Sequence, residues 1–219
     1  MLKALLFDMD GLIFDSEKVV QRSWNMAGDT HGYGKIGDHI YNTLGMNAKS
    51  RGEYFKGVFG EEFPYDKFRD LARENFYAIV GEEGLAIKSG ANELIHYAKQ
   101  LGYRMAVVTS SRRPYVEEMF KKAGLYEYFD VFVCGDMVMK SKPNPEIYEK
   151  ACRLLEVRPE YCVAFEDAPA GVESATAAGI DVIMVPDLVQ PDRETRRKAW
   201  RVITTLDEAI DILRREARE

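Results

Sequence analysis

The chain has 219 residues, 46% of them hydrophobic, with 36 acidic and 30 basic side chains and a net charge of -6. That is enough apolar material for one domain or one and a half, and it excludes a disordered chain. The acidic balance excludes a general nucleic-acid or anionic-membrane surface and leaves small molecules as the expected partners. No segment approaches the roughly 20 apolar residues that span a bilayer. The apolar run after Lys3 is also too short for a secretory leader, so a cytoplasmic location is expected.

In chain order, the first signal is Lys3 to Asp10, an apolar run ending in Asp8-Met9-Asp10 and followed at once by Gly11. Leu5, Leu6 and Phe7 read as a strand covered on both faces, because a short continuous apolar run stopped by a turn residue suits a parallel sheet. Two carboxylates then emerge together at its C-terminal end, where open α/β sheets hold ligands. From Asp15 to about Val80 the chain changes character. Tyr65, Phe68, Leu71, Ala72 and Ile79 recur near a period of 3.6, and Val19, Val20 and Trp24 suggest a second helix. The segments Gly28 to Gly37 and Gly81 to Gly84 read as connections, so residues 15–81 form a small helical insertion between residues 1–14 and 82–219.

Beyond Leu85 helices and strands alternate. Leu94, Ile95, Ala98 and Leu101 mark a helix closed by Gly102, and Met105 to Val108 is a strand ending at Thr109. Pro114 opens a helix that Gly124 ends, ahead of the strand Val131 to Cys134. Asn144 and Pro145 start a helix with the face Ile147, Ala151, Leu154 and Leu155. Cys162 to Phe165 is a strand stopped at Glu166-Asp167, Val172 to Ala178 a small-residue helix, and Asp181 to Val185 a further strand. Thr205 and Glu208 make a capping box for the last helix. Such alternation means βαβ units and a parallel sheet, an α/β fold with a Rossmann-like doubly wound core. The basic run Arg193 to Lys198 reads as solvated surface. Cys134, Cys152 and Cys162, odd in number and without CxxC spacing, read as reduced core thiols.

Polar residues collect where strands stop: Asp8 and Asp10, Thr109 and Ser110, Glu166 and Asp167, with Lys142 just before a helix. In one parallel sheet these segments converge on one edge. Four carboxylates around a point suit a hard cation with oxygen ligands, Mg²⁺ beside a phosphate. Zinc is not expected, since neither the cysteines nor His31, His39 and His96 have ligand spacing. Beside such a cation Asp8 can attack phosphorus, with Asp10 placed as general acid and base. Lys142 and the Thr109 hydroxyl supply charge and hydrogen bonds to the phosphoryl oxygens. Taken singly, each signal also has a structural reading: Thr109 as a strand end, Lys142 as a turn residue, Glu166-Asp167 as a cap for the following helix.

At Phe7-Asp8-Met9-Asp10-Gly11 with Asp15-Ser16-Glu17, Val107-Val108-Thr109-Ser110-Ser111, Lys142-Pro143-Asn144-Pro145 and Phe165-Glu166-Asp167, the chain resembles the haloacid dehalogenase superfamily, in its β-phosphoglucomutase-like subgroup. The resemblance implies Asp8 as nucleophile and Asp10 as acid and base. It implies Mg²⁺ held by Asp8, the Asp10 backbone carbonyl and Asp167, with Glu166 beside them, and the phosphate held by Thr109, Ser110 and Lys142. It also implies that the helical insertion is a mobile cap hinged near Asp15 and Gly81.

Asp10 speaks against dehalogenation, and none of Lys18, Lys35, Lys49, Lys56 and Lys67 stands out as the Schiff-base lysine of a phosphonatase. In the phosphoglucomutases of the subgroup a cap-helix histidine and a lysine near the second hinge gate Asp10. Val20 stands at the first position here, and Leu71 to Val80 holds only Arg73 as a base. The expectation is therefore a phosphatase of a small phosphorylated metabolite such as a sugar phosphate, with a phosphomutase as the alternative. Glu17 and Lys49 are the candidate substrate contacts. No nucleic-acid or membrane partner is expected, and the sequence leaves the oligomeric state open, with a monomer favoured.

Overall fold

The N-terminal apolar run becomes β1 (Ala4–Phe7), a strand with no exposed residue. A computed structural model describes residues 2–43 and 48–216, with the side chains of 48–50 and 216 outside the description. After β1 come four helices, α1 (Glu17–Thr30), α2 (Ile40–Thr43), α3 (Ala48–Phe59) and α4 (Tyr65–Glu83). Alternation then sets in with α5 (Ala91–Gln100), β2 (Arg104–Val108), α6 (Arg113–Lys122), β3 (Val131–Val133), α7 (Glu146–Leu155) and β4 (Cys162–Glu166). It ends with α8 (Pro169–Ala177), β5 (Asp181–Met184), α9 (Arg193–Lys198), β6 (Arg201–Val202) and α10 (Glu208–Glu216).

The six strands form one parallel sheet in the order β3-β2-β1-β4-β5-β6. Phe7 is level with Val107 on one side and with Phe165 on the other, so β1, β2 and β4 stop at the same edge. The strand order turns back at β1, and a crevice outside the carboxyl ends of β1 and β4 is where such sheets bind. Both faces of the sheet are covered. Leu6, Val108, Val133 and Ala164 pack with Ile147, Ala151 and Val172 of α7 and α8. On the other face Phe7 stacks on Phe165 with centroids 4.8 Å apart and meets Phe129 edge-on.

The chain divides into two compact units, residues 1–15 with 86–219 and residues 16–85. The expected boundaries at 14/15 and 81/82 lie one and four residues earlier, the second because α4 runs through Gly81 to Glu83. Gly28, read as part of a connection, belongs to α1. The second unit is built on aromatic rings: Phe55, fully buried, meets Trp24, Phe63 and Phe68 at centroid distances of 5.5, 5.3 and 5.2 Å. Arg22 and Glu83 join α1 to α4 through two bonds of 2.7 Å.

Other differences from the sequence pattern are local. α8 starts at Pro169, whose fixed φ and missing N–H suit a first turn. The run read as solvated surface is a short helix, α9, capped by Asp192 Oδ1 accepting from the Thr195 N–H at 2.7 Å. β6 is only two residues long and leaves no periodic trace. All three cysteines are free and buried. Cys152 and Cys162 lie Sγ to Sγ at 3.9 Å, and burial pushes the Cys134 thiol up to about 11. Among the described residues no helix is long and apolar enough to cross a membrane.

Because Phe55 is the ring on which the 16–85 unit converges, Phe55→Ala should cost about 3–5 kcal/mol. Urea unfolding followed by tryptophan fluorescence checks this, Trp24 lying beside the deleted ring.

Candidate active site

β1 delivers Asp8 to the sheet edge. Its N–H donates to the Phe165 carbonyl at 3.0 Å, continuing the ladder one residue beyond the strand, and its side chain is nearly buried. The chain then turns sharply. The N–H groups of Ile13 and Phe14 both donate to the Met9 carbonyl, and Gly11 holds the turn at φ 79°, a left-handed value that favours glycine. The turn separates the two acids: the Asp10 carboxylate accepts from the Ser111 hydroxyl at 2.6 Å.

Lys142, on the loop before α7, reaches back to the same edge. Its ammonium donates to Asp8 Oδ1 at 2.5 Å, Glu166 Oε1 at 2.6 Å and the Val108 carbonyl at 2.9 Å. An ammonium has three protons, and all three are used. Lys142 is 8% exposed and Glu166 2%, so the ion pair is desolvated and a lost partner would leave a buried charge. Tyr148 of α7 donates its hydroxyl to Glu166 Oε1 as well, from a fully buried position.

Burial acts against the Lys142 ammonium, but Asp8 and Glu166 beside it outweigh burial and hold its pKa above the usual lysine range. Burial pushes Glu166 up to about 7, with Asp8 adding to the rise and Lys142 opposing it. Burial likewise raises the Tyr148 phenol well above its ordinary value, with Glu166 and Asp8 adding to it. The packing here is tight. A methyl group on Gly171, in the first turn of α8, would run into the Glu166 carboxylate.

Asp8, Glu166 and Asp167 each bring one carboxylate oxygen to within 4.8 Å of the others. An oxygen-only donor set of this kind fits a hard divalent cation. The Asp10 carboxylate stands outside this set, on Ser111. Thr109 is buried at the end of β2, its N–H on the Val133 carbonyl at 3.0 Å and its Oγ1 accepting from the Ser111 N–H at 3.1 Å. Ser110, next to it, is exposed. Glu17 opens α1 in the 16–85 unit. Lys49 is in α3, but its side chain lies outside the described residues.

Two groups central to this geometry had no functional reading in the sequence. Tyr148 sits beside Ile147 in a helix recognised by its apolar face, and a tyrosine there passes for core. Ser111 belongs to the Thr109-Ser110-Ser111 triplet, whose spacing does not say which hydroxyl meets Asp10.

The profile of the haloacid dehalogenase-like hydrolases matches residues 5–185. The chain is 33% identical over 181 residues to validoxylamine A 7'-phosphate phosphatase of Streptomyces hygroscopicus subsp. limoneus, covering 82% of this chain and 84% of the relative. It is 29% identical over 182 residues to the phosphorylated carbohydrates phosphatase of Thermotoga maritima, covering 83% and 84%. Its fold superposes with a TM-score of 0.79 on the crystal structure of CbbY from Rhodobacter sphaeroides in complex with phosphate, at 31% identity over 95% of this chain and 96% of that one.

Removing the lysine isolates the buried carboxylates, so Lys142→Met should destabilise the metal-free protein by about 3–5 kcal/mol. Chemical denaturation in the presence of EDTA measures it.

Proposed function

The chain belongs to the haloacid dehalogenase-like hydrolases and is a phosphoric monoester hydrolase, and from that premise we propose that it dephosphorylates a small phosphorylated carbohydrate through an aspartyl phosphate on Asp8 at a site holding Mg²⁺. The observation that carries the reading is the meeting of Asp8, Glu166 and Asp167 within 4.8 Å, with the Lys142 ammonium 2.5 Å from Asp8. Asp8, Glu166 and Asp167, with the Asp10 backbone carbonyl, are the proposed holders of the cation. Mg²⁺, when bound, supplies positive charge to the phosphoryl oxygens and offsets the repulsion between them and the carboxylates.

The residues divide the work. An Asp8 oxygen forms a bond to phosphorus as the ester P–O bond breaks, and protonated Asp10 gives its proton to the departing alkoxide. Asp10, now a carboxylate, takes a proton from the water that attacks the aspartyl phosphate, which releases inorganic phosphate and restores Asp8. Ser111 holds Asp10 by one oxygen, Oδ2, at 2.6 Å, so the hydrogen bond fixes the orientation of the carboxyl group. Lys142 exchanges one of its three bonds for a phosphoryl oxygen, while Thr109, Ser110 and nearby N–H groups donate to the others. Glu17 and Lys49 are the proposed contacts to the carbohydrate.

Hydrolysis is favoured over phosphoryl return to the sugar because Val20 stands where the mutases carry the gating histidine and Leu71 to Val80 holds no lysine. Val20 and Arg73 line a cavity of about 210 Å³ in the 16–85 unit, with Trp24 and Phe68 on its wall. Val20 has no hydrogen-bonding group with which to restrain a carboxyl, as an imidazole has.

Hydrolysis of an aryl phosphate should require Mg²⁺, stop in EDTA and be abolished in Asp8→Asn. Asp10→Asn should lower kcat by about 10²- to 10⁴-fold. Activity surviving in Asp8→Asn would remove the nucleophile. With β-glucose 1-phosphate and a bisphosphate primer, inorganic phosphate should form faster than glucose 6-phosphate; the reverse order would make the enzyme a mutase.

A further inference from the structure

Asp187, in the loop after β5, takes no part in the scheme above, yet it borders the cation-holding carboxylates. Its Oδ1 accepts from Lys88 Nζ at 2.5 Å, and both side chains are largely buried, 17% and 23% exposed. Lys88 is itself fixed by its backbone. Its N–H donates to the Ile13 carbonyl at 2.8 Å, and the neighbouring Ile87 bridges to Phe14. The ion pair thus ties the loop after β5 to the turn that carries Asp10 and Gly11.

The second oxygen of Asp187 is the informative one. Oδ2 is buried and has no hydrogen-bond partner among the described residues. A Cβ placed on Gly11 would lie 2.5 Å from Asp167 Oδ2 and 3.3 Å from Asp187 Oδ2. The two carboxylate oxygens therefore close on the same bare Cα. Acids so placed repel, and a buried carboxylate oxygen without a donor carries its full desolvation cost. Both penalties vanish if a proton donor of positive character enters between them. Mg²⁺ keeps several waters when it binds through few carboxylates, and the hydrogens of those waters are such donors.

We propose that Asp187 is a positioning residue for the cation site: its Oδ2 accepts a hydrogen bond from the hydration shell that Mg²⁺ retains beside Asp167, while Lys88 holds Oδ1 so that Oδ2 faces Gly11. Partners of this outer kind orient the ligands they touch and set affinity. The inference rests on Mg²⁺ being the cation held by Asp8, Glu166 and Asp167, and goes beyond that reading in giving Asp187 and Lys88 distinct roles.

The test is titration of the full-length chain with MgCl₂ in an isothermal calorimeter, which reads binding and not turnover. Asp187→Asn should raise the Mg²⁺ dissociation constant about 10- to 100-fold, whereas Lys88→Met, which keeps the carboxylate but frees it to turn, should lower the melting temperature and raise the constant by a smaller factor, about threefold. Asp187→Glu, which keeps the charge but moves the oxygens, is the second variant should the asparagine form fail to fold, and should also weaken binding. Wild-type affinity in Asp187→Asn, or equal losses in Asp187→Asn and Lys88→Met, would reduce Asp187 to a structural ion-pair partner and overturn the inference. A wild-type chain that binds no Mg²⁺ overturns it together with the cation reading; a wild-type chain that binds Mg²⁺ beside an unaffected Asp187→Asn overturns it alone.

Discussion

One ammonium group holds the working edge of this molecule together. Lys142 spends its three protons on Asp8 beyond β1, the Val108 carbonyl at the end of β2 and Glu166 at the end of β4, so the C-termini of the three central strands meet at a single nitrogen. Each of these acceptors would be a desolvated oxygen without it, and such oxygens are costly. The lysine is not carried by the sheet at all but by the loop before α7, and α7 also supplies Tyr148 to the same Glu166 oxygen. The packing of α7 on the sheet through Ile147, Ala151 and Leu155 is therefore also what sets the electrostatics of the edge.

The architecture was legible because parallel strands buried on both faces leave unbroken apolar runs. Leu5 to Phe7, Met105 to Val108 and Cys162 to Phe165 have no polar residue to alternate with, and each is followed at once by the acid or hydroxyl it presents. The β6 strand was not legible, since two residues have no period. α8 starts at Pro169, three residues before the expected Val172, because Pro169 precedes the small-residue face that marks the helix. At the site, residues adjacent to strand ends, and Lys142 just before a helix start, could be named in advance, but Tyr148, Lys88 and Asp187 could not. Tyr148 is indistinguishable by spacing from a core aromatic, and the Lys88–Asp187 pair joins positions 99 residues apart with no local pattern on either side. Long-range pairing is a property of topology, and one sequence encodes it only through the fold.

The glycines at the site follow from the acids. Gly11 needs its left-handed φ for the turn, yet it also has to be bare because the oxygens of Asp167 and Asp187 close on its Cα. Gly171 has no such φ and sits in ordinary helix, where alanine would be the better helix former by about 1 kcal/mol. Its side is occupied by the Glu166 carboxylate, so the loss of helix propensity is the cost of bringing the start of α8 against a buried acid. That approach is itself favourable, because the N-terminal end of a helix carries partial positive charge. The site thus concentrates negative charge by removing hydrocarbon where carboxylates must approach backbone.

Repulsion among the gathered acids then bears on what this edge can bind. Asp8, Glu166 and Asp167 converge within 4.8 Å, and burial together with Asp8 lifts the Glu166 carboxyl to about 7. Carboxylates held this close gain from a ligand that brings positive charge, and a phosphate ester arriving alone would add to their repulsion. A divalent cation resolves both problems at once, since it is attracted by the carboxylates and in turn attracts the phosphoryl group. On the proposed reading, the cation that these carboxylates would hold is thus also what would draw the phosphoryl group to the edge.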